Sequence, residues 1–327
     1  EGSCNRAMKC DANSLSGAVS QRACVYCGAR VVLNPITDAF HIVHGPIGCA
    51  SYTWDIRGSL SSGNETYRNS FSTDLKEEDV IFGGVKKLEA AIREIAENYH
   101  PKLIFVYATC IVGVIGDDVE AVCKRMSSEY NIRVIPVKSP GFSGNKSVGY
   151  KMACNALMEL LRPHISADKI RGVNILGDFN LAGELWIVKD YLRRMGINVI
   201  ASITGDGDYE SLIKAPQAEL NIVQCAGSSI YLAKRMEEEM QIPYITVSFY
   251  GIEDTVNSLI RVAEALKNET ARYIAEEFCR YETGRVEEEL SKYKAKLAGK
   301  KAAIYVGGGF KAISLIRQFH YLGMEVT

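Results

Sequence analysis

Apolar and polar positions follow two rhythms along this chain. Short unbroken apolar runs alternate with longer stretches in which apolar residues recur every three or four positions. Leu103–Thr109 is the clearest run, of the kind buried on both faces of a parallel sheet. Before it, Glu77–Tyr99 predicts one helix, with Val80, Ile81, Val85, Leu88, Ala91, Ile92 and Ile95 near helical spacing. Thr73 or Asp74 is its expected N-cap, Gly83-Gly84 weakens it locally, and His100-Pro101 ends it. Ala29–Leu33 reads as a short strand, and Thr37–Val43 is apolar but too short to assign before Gly45-Pro46 breaks it. Residues 55–74 form a long polar loop rich in turn residues. Asp117-Asp118 opens a helix to Tyr130, Arg133–Val137 is the next strand, and a polar loop precedes a helix at 150–162.

From Lys169 the alternation is regular. Strands at Val173–Leu176, Asn198–Ile203, Asn221–Gln224 and Tyr244–Val247 are separated by helices at Ala182–Met195, 208–214 and Ser229–Met240. That order predicts an α/β fold of repeated Rossmann-like, doubly wound parallel-sheet domains. Residues 1–23 lack periodicity and read as an extended arm. Residues 24–168 form a first α/β domain and 169–253 a second. The charged stretch 254–300 reads as a solvated helical connector. A third α/β domain starts at 301 with strand Ala302–Val306, three glycines and a helix at 311–322; it is incomplete in this chain, which stops where its next strand should begin.

Composition narrows the class. The 327 residues carry a formal net charge of -1, so no charge excess points to nucleic acid or a membrane surface. No run approaches the ~18 apolar residues of a spanning helix. Ten cysteines in a chain this long, with a core of its own, fit a reducing cytoplasm rather than a disulfide framework. Cys123 and Cys154 lie in amphipathic helical patterns and read as core; Cys279 sits in a charged helix.

Cys24, Cys49 and Cys110 each stand at a turn or strand end, where side chains can leave a sheet and meet. Thiolates of that kind suit an iron–sulfur cluster, because soft anionic sulfur binds and neutralises iron. Cys24-x₂-Cys27 can equally be half of a zinc site, although no second such pair follows. His41 and His44 read as hydrogen-bonded core or turn residues. Gly307-Gly308-Gly309 is either a tight turn or an anion-binding loop. Arg57, Lys146 and Lys311 are cations in Gly/Ser-rich loops that could steer an acidic cofactor.

The segments AFHIVHGPIGCASYTWDIRGSLSSG, FSTDLKEEDVIFGGVKKL and VYATC, then IGDDVEAVC, GDFNLAGELW, SITGDGDY, NIVQCAGSSIYLAKRMEEEMQIPY and YVGGGFKAIS, stand in one order. Together they resemble the nitrogenase component-1 family, and within it the alpha-type subunit of the scaffold on which the iron–molybdenum cofactor is finished. That resemblance implies a [4Fe-4S] cluster held by Cys24, Cys49 and Cys110, with a fourth cysteine from a homologous beta-type subunit in an α₂β₂ assembly. It implies that Cys225 anchors an iron–sulfur precursor of the cofactor, into which molybdenum and homocitrate are inserted. Arg57, Lys146 and Lys311 would help hold this anionic cargo. The other expected partners are an ATP-dependent iron protein and a precursor-donating protein. The alternative is the alpha subunit of a nitrogenase or nitrogenase-like reductase. Against it, GFSGNKSVGYKM carries Lys146, Tyr150 and Lys151 where the catalytic subunit has a histidine pair. No catalytic residue is assigned. Cys27 departs from the family pattern.

Overall fold

The computed structural model describes residues 24–54, 60–61, 69–224, 226–305 and 309–327, without the side chains of 54, 226–228 and 309–311. The arm at 1–23, Arg57 with most of the 55–74 loop, Cys225 and Gly307-Gly308 lie outside these residues, as does the side chain of Lys311.

The first elements are α1 (Val25–Leu33), β1 (Phe40–His44), α2 (Ile47–Trp54), β2 (Ser70–Ser72), α3 (Glu77–Phe82), α4 (Val85–Tyr99), β3 (Leu103–Ala108), α5 (Cys110–Ile115), α6 (Val119–Tyr130), β4 (Arg133–Lys138) and α7 (Lys146–Leu161). Their strands form one parallel sheet in the order β2-β1-β3-β4. The chain winds outward from β1 to β2, then crosses back to place β3 and β4 on the other side. The direction therefore reverses between β1 and β3. In open α/β sheets the crevice beyond the carboxyl ends of two such strands is the usual ligand site.

The segment 29–33, expected as a strand, belongs to helix α1. Val25, Tyr26, Cys27, Gly28, Ala29, Arg30, Val32 and Leu33 are all buried, so this helix has no polar face to reveal its period. The β-branched window alone reads as strand, and packing overrides it. Packing is close because Gly28 and Gly149 meet where α1 crosses α7. A Cβ on Gly28 would lie 2.1 Å from the Lys146 carbonyl oxygen, and one on Gly149 would lie 2.1 Å from the Val25 carbonyl oxygen. α7 itself begins at 146 rather than 150, because Asn145 caps it by accepting from the Ser147 and Val148 amides.

The single helix expected over 77–99 is two, α3 and α4, broken at Gly83, whose φ of +92° leaves the helical region. The cap of α3 is Lys76, whose amide donates to Asp79, and not Thr73 or Asp74. Ile81 and Phe82 are exposed; the buried face is Leu88, Ile92, Ile95 and Ala96 on α4. Asp118 caps α6 as expected of that acidic pair.

The following elements are β5 (Ile170–Leu176), α8 (Glu184–Arg194), β6 (Val199–Ile203), α9 (Tyr209–Leu212), β7 (Ala218–Val223), α10 (Ala226–Met240), β8 (Tyr244–Thr246), α11 (Ile252–Ala265), α12 (Glu269–Leu297), β9 (Lys301–Ala302), α13 (Gly309–Tyr321) and β10 (Glu325–Val326). The second parallel sheet runs β6-β5-β7-β8, the same winding as the first, with its reversal between β5 and β7. β9 pairs in parallel with β10.

By its internal contacts the chain forms two units. One ends at Pro163 and includes Asp206–Tyr209; the other is His164–Gly205 with Glu210–Thr327. The charged stretch after 252 is not simply solvated. Leu259, Val262 and Ala263 of α11 and Ala271, Ala275 and Cys279 of α12 are buried in one apolar core with Val173, Ile175 and Leu220. Cys123 and Cys154 are buried, as expected. No described helix is long and apolar enough to cross a membrane.

Candidate metal centre

Three turns carry the cysteines to one end of the first sheet. Cys49 follows β1, Cys110 follows β3, and Cys24 stands immediately before α1. Thus two of the three leave the strands between which the sheet reverses. Cys110 is the first residue of a short helix rather than the last of a strand, which turns its thiol outward; it is exposed, and Cys24 and Cys49 are half-buried.

Gly141, in the turn after β4, joins two of them. Its amide donates to Cys110 Sγ at 3.1 Å. A Cβ at this position would sit 3.0 Å from Cys110 Sγ and 3.4 Å from Cys24 Sγ. Cys24 also pairs through its backbone with Asn145, the α7 cap. The third thiol is within electrostatic reach: burial pushes the Cys49 pKa up, and the charges of Cys110 and Cys24 push it further. Cys24 moves the other way, down to about 6, chiefly through the hydrogen bond between its thiol and that of Cys27, 3.9 Å apart. Cys27 is correspondingly raised by that hydrogen bond and by burial.

A buried brace holds the two turns. Thr109 donates from its amide and its hydroxyl to the His44 carbonyl, at 3.2 and 2.9 Å. Gly45 packs against the Thr109 side chain so closely that a Cβ would lie 2.1 Å from Oγ1. The Gly45 amide donates to Thr73 Oγ1, which lies 3.0 Å from His44 Nδ1, and His44 Nε2 lies 3.2 Å from Asp117 Oδ2. Burial lowers the His44 pKa although Asp117 opposes it, so the ring is neutral near pH 7. One tautomer satisfies every partner: the Thr73 hydroxyl donates to Nδ1 and Nε2–H donates to Asp117.

The donor set suits a cluster better than a single ion. Among the described residues, no three His, Cys, Asp or Glu side chains are grouped to hold one metal ion. Three soft thiols brought to one end of the first sheet suit a polynuclear iron–sulfur group. No disulfide joins the described cysteines.

Lys146 opens α7 beside the Asn145 cap, its ammonium 5.6 Å from the centre of the Tyr150 ring. Sequence reasoning missed Gly141, Thr73, Thr109 and Asp117. The signal for Asp117 was present but divided: of the acidic pair, Asp118 caps the helix and Asp117 turns inward to His44.

The family model for nitrogenase component 1 type oxidoreductases matches residues 24–327. The chain belongs to this family. A curated member from Clostridium pasteurianum, named nitrogenase iron-molybdenum cofactor biosynthesis protein NifE, is 66% identical over 327 residues, covering 100% of this chain and 72% of that protein. The protein of the same name from Methanosarcina barkeri is 56% identical, with 98% of this chain and 72% of the relative covered. Among solved structures, a chain titled "Nitrogenase Cp1 at pH 6.5" superposes with a TM-score of 0.87 at 35% identity, covering 96% of this chain. This chain spans 62% of that one. The component 1 fold thus accounts for both reversing parallel sheets.

Proposed function

We propose that this chain is the alpha-type subunit of a scaffold that matures the iron–molybdenum cofactor of nitrogenase. The observation that carries the reading is 66% identity, along the whole chain, to a protein named for that biosynthesis. The site geometry agrees with it. Cys24, Cys49 and Cys110 would hold a [4Fe-4S] cluster, with the fourth thiolate supplied by a homologous beta-type subunit in an α₂β₂ assembly. Such a cluster supplies one-electron transfer when bound. Around the cysteine turns, Ile47 and Tyr52 of α2, Ile81 and Phe82 of α3, Val114 of α5 and Phe142 of the Gly141 turn are exposed, an apolar surface suited to a partner chain.

Cys225 would anchor the iron–sulfur precursor, with molybdenum and homocitrate as later cargo, and Arg57, Lys146 and Lys311 would offset its negative charge. In the sequence Cys225 comes two positions after β7, one of the two strands between which the second sheet reverses. β7 has in the second sheet the place that β3, which ends two positions before Cys110, has in the first. An ATP-dependent iron protein and a precursor-donating protein complete the expected set of partners. The reductase alternative is disfavoured by α7, which from Lys146 to Leu161 carries no histidine.

The test is anaerobic iron and sulfide analysis of the isolated complex. Cys225→Ala should lose the precursor and keep the interfacial cluster. Cys110→Ala should do the reverse. A complex holding zinc without iron or sulfide, or one reducing dinitrogen with its iron protein, would overturn the assignment.

A further inference from the structure

Cys27 is not among the three thiols proposed to hold the cluster, yet it faces one of them. Cys24 and Cys27 are three residues apart at the start of α1, on one face of the helix, and their sulfurs are 3.9 Å apart. A disulfide needs about 2.0 Å, and residues at this spacing lie within the Cα separation that disulfides span. The two thiols differ in access. Cys24 is half-buried at the crevice, whereas Cys27 is 2% exposed. Gly141 leaves space beside Cys24 Sγ, because it has no Cβ to fill it.

We propose that in the cluster-free chain Cys24 and Cys27 form a reversible disulfide, so that cluster loading is gated by thiol reduction. The co-reactant is a small-molecule disulfide, RSSR. The Cys24 sulfur attacks one sulfur of RSSR, forming a mixed disulfide and releasing RS⁻. The Cys27 sulfur then attacks Cys24, closing the internal S–S bond and releasing the second RS⁻. The two thiol protons end on the two RSH formed, and two electrons pass from the protein thiols to RSSR. Access fixes the roles: the reachable Cys24 attacks and the enclosed Cys27 resolves. In the disulfide Cys24 has no thiolate to offer iron, so the oxidised chain cannot complete the site. A dithiol reductant reverses both steps. The gate rests on Cys24 being a cluster ligand; the disulfide itself does not.

The experiment uses the full-length protein, isolated without oxygen, stripped of iron by a chelator and exposed to oxidised glutathione. Remaining thiols are alkylated and the chain is cut with trypsin. Arg22 and Arg30 bracket both cysteines, so they fall in one peptide, Ala23–Arg30. The expected product is that peptide lighter by two hydrogens and unalkylated. The oxidised chain should lose iron and sulfide uptake, and dithiothreitol should restore it. Cys27→Ser should keep glutathione on Cys24 and, once reduced, load as the parent does. A stable glutathione adduct on Cys24 of the parent, a bond from Cys24 to the Cys110 peptide, or equal loading with and without reductant would overturn the proposal. Should the reduced chain take up no cluster at all, the cluster assignment fails while the peptide mass still decides the disulfide.

Discussion

His44 Nε2 lies 3.2 Å from Asp117 Oδ2, and through this contact the end of β1 is tied to the turn between α5 and α6. The same carboxylate accepts from the Gly84 amide, at 3.1 and 3.0 Å, so three segments close on one side chain. Asp117→Ala should therefore orphan two buried donors, His44 Nε2–H and Gly84 N–H. Each costs about 1–3 kcal/mol when left without a partner. The loss should appear as a lower urea midpoint. Asp117→Asn, which still accepts from Gly84, should lose less. Because α2 and α5, which carry Cys49 and Cys110, adjoin the released segments in the chain, iron retention should fall further than the midpoint alone explains. Unchanged stability in the alanine variant would remove Asp117 from this role.

The α1–α7 crossing gives a second expectation. Gly28 faces backbone, with the Lys146 carbonyl at 2.1 Å from a built Cβ, and backbone cannot swing aside as a side chain can. Gly28→Ala and Gly149→Ala should each destabilise by about 1–3 kcal/mol through overpacking. The double variant should cost less than the sum, since one methyl group already forces the helices apart. Urea unfolding of the three variants measures this. Strict additivity would mean that the two glycines act at separate contacts.

How legible these features were depends on burial. β3 and the alternation after Lys169 were plain because unbroken apolar runs such as LIFVYA admit few other readings. α1 was misread for the opposite reason: burial on every side erased its period. α5 was missed because a six-residue helix bearing the exposed Cys110 and Val114 has no apolar stripe to detect. At the site, the cysteines drew notice by chemical type, while Gly141 and Thr109 did not. Their part arises from approach between segments far apart in sequence, which local pattern does not encode.

Stability should also depend on pH through His41. Its ring is fully enclosed, with Nδ1 2.9 Å from the Tyr107 hydroxyl. Burial, with Arg30 nearby, holds its pKa well below the ordinary 6.5. As pH falls through about 6.5 the unfolded chain takes up a proton that the folded chain refuses, so folding weakens. His44, depressed by burial, acts in the same direction. Each contributes at most about 1.4 kcal/mol per pH unit within that window. Denaturation midpoints should fall between about pH 7 and pH 5, and His41→Gln should flatten the fall. An equal slope in parent and variant would show that His41 does not carry it.

Gly141→Ala separates the metal site from the fold. Gly141 has no positive φ to preserve, so alanine is compatible with its backbone. The three atoms nearest to the added methyl group all belong to the cysteines: 3.0 Å to Cys110 Sγ, and 3.2 and 3.4 Å to Cys24 Cβ and Sγ. Contacts this short oblige the thiols to move by a few tenths of an ångström. Elsewhere a shift of that size is absorbed by rotamer adjustment, but a ligand set shared by several irons tolerates little displacement. We expect near-parent circular dichroism and urea midpoint, with iron and acid-labile sulfide reduced and the cluster's visible absorption weakened. The parent should regain its cluster on reconstitution more completely than the variant does. If Gly141→Ala holds iron and sulfide like the parent, Cys24 and Cys110 do not share a cluster across that turn, and the proposed centre loses its main geometric support.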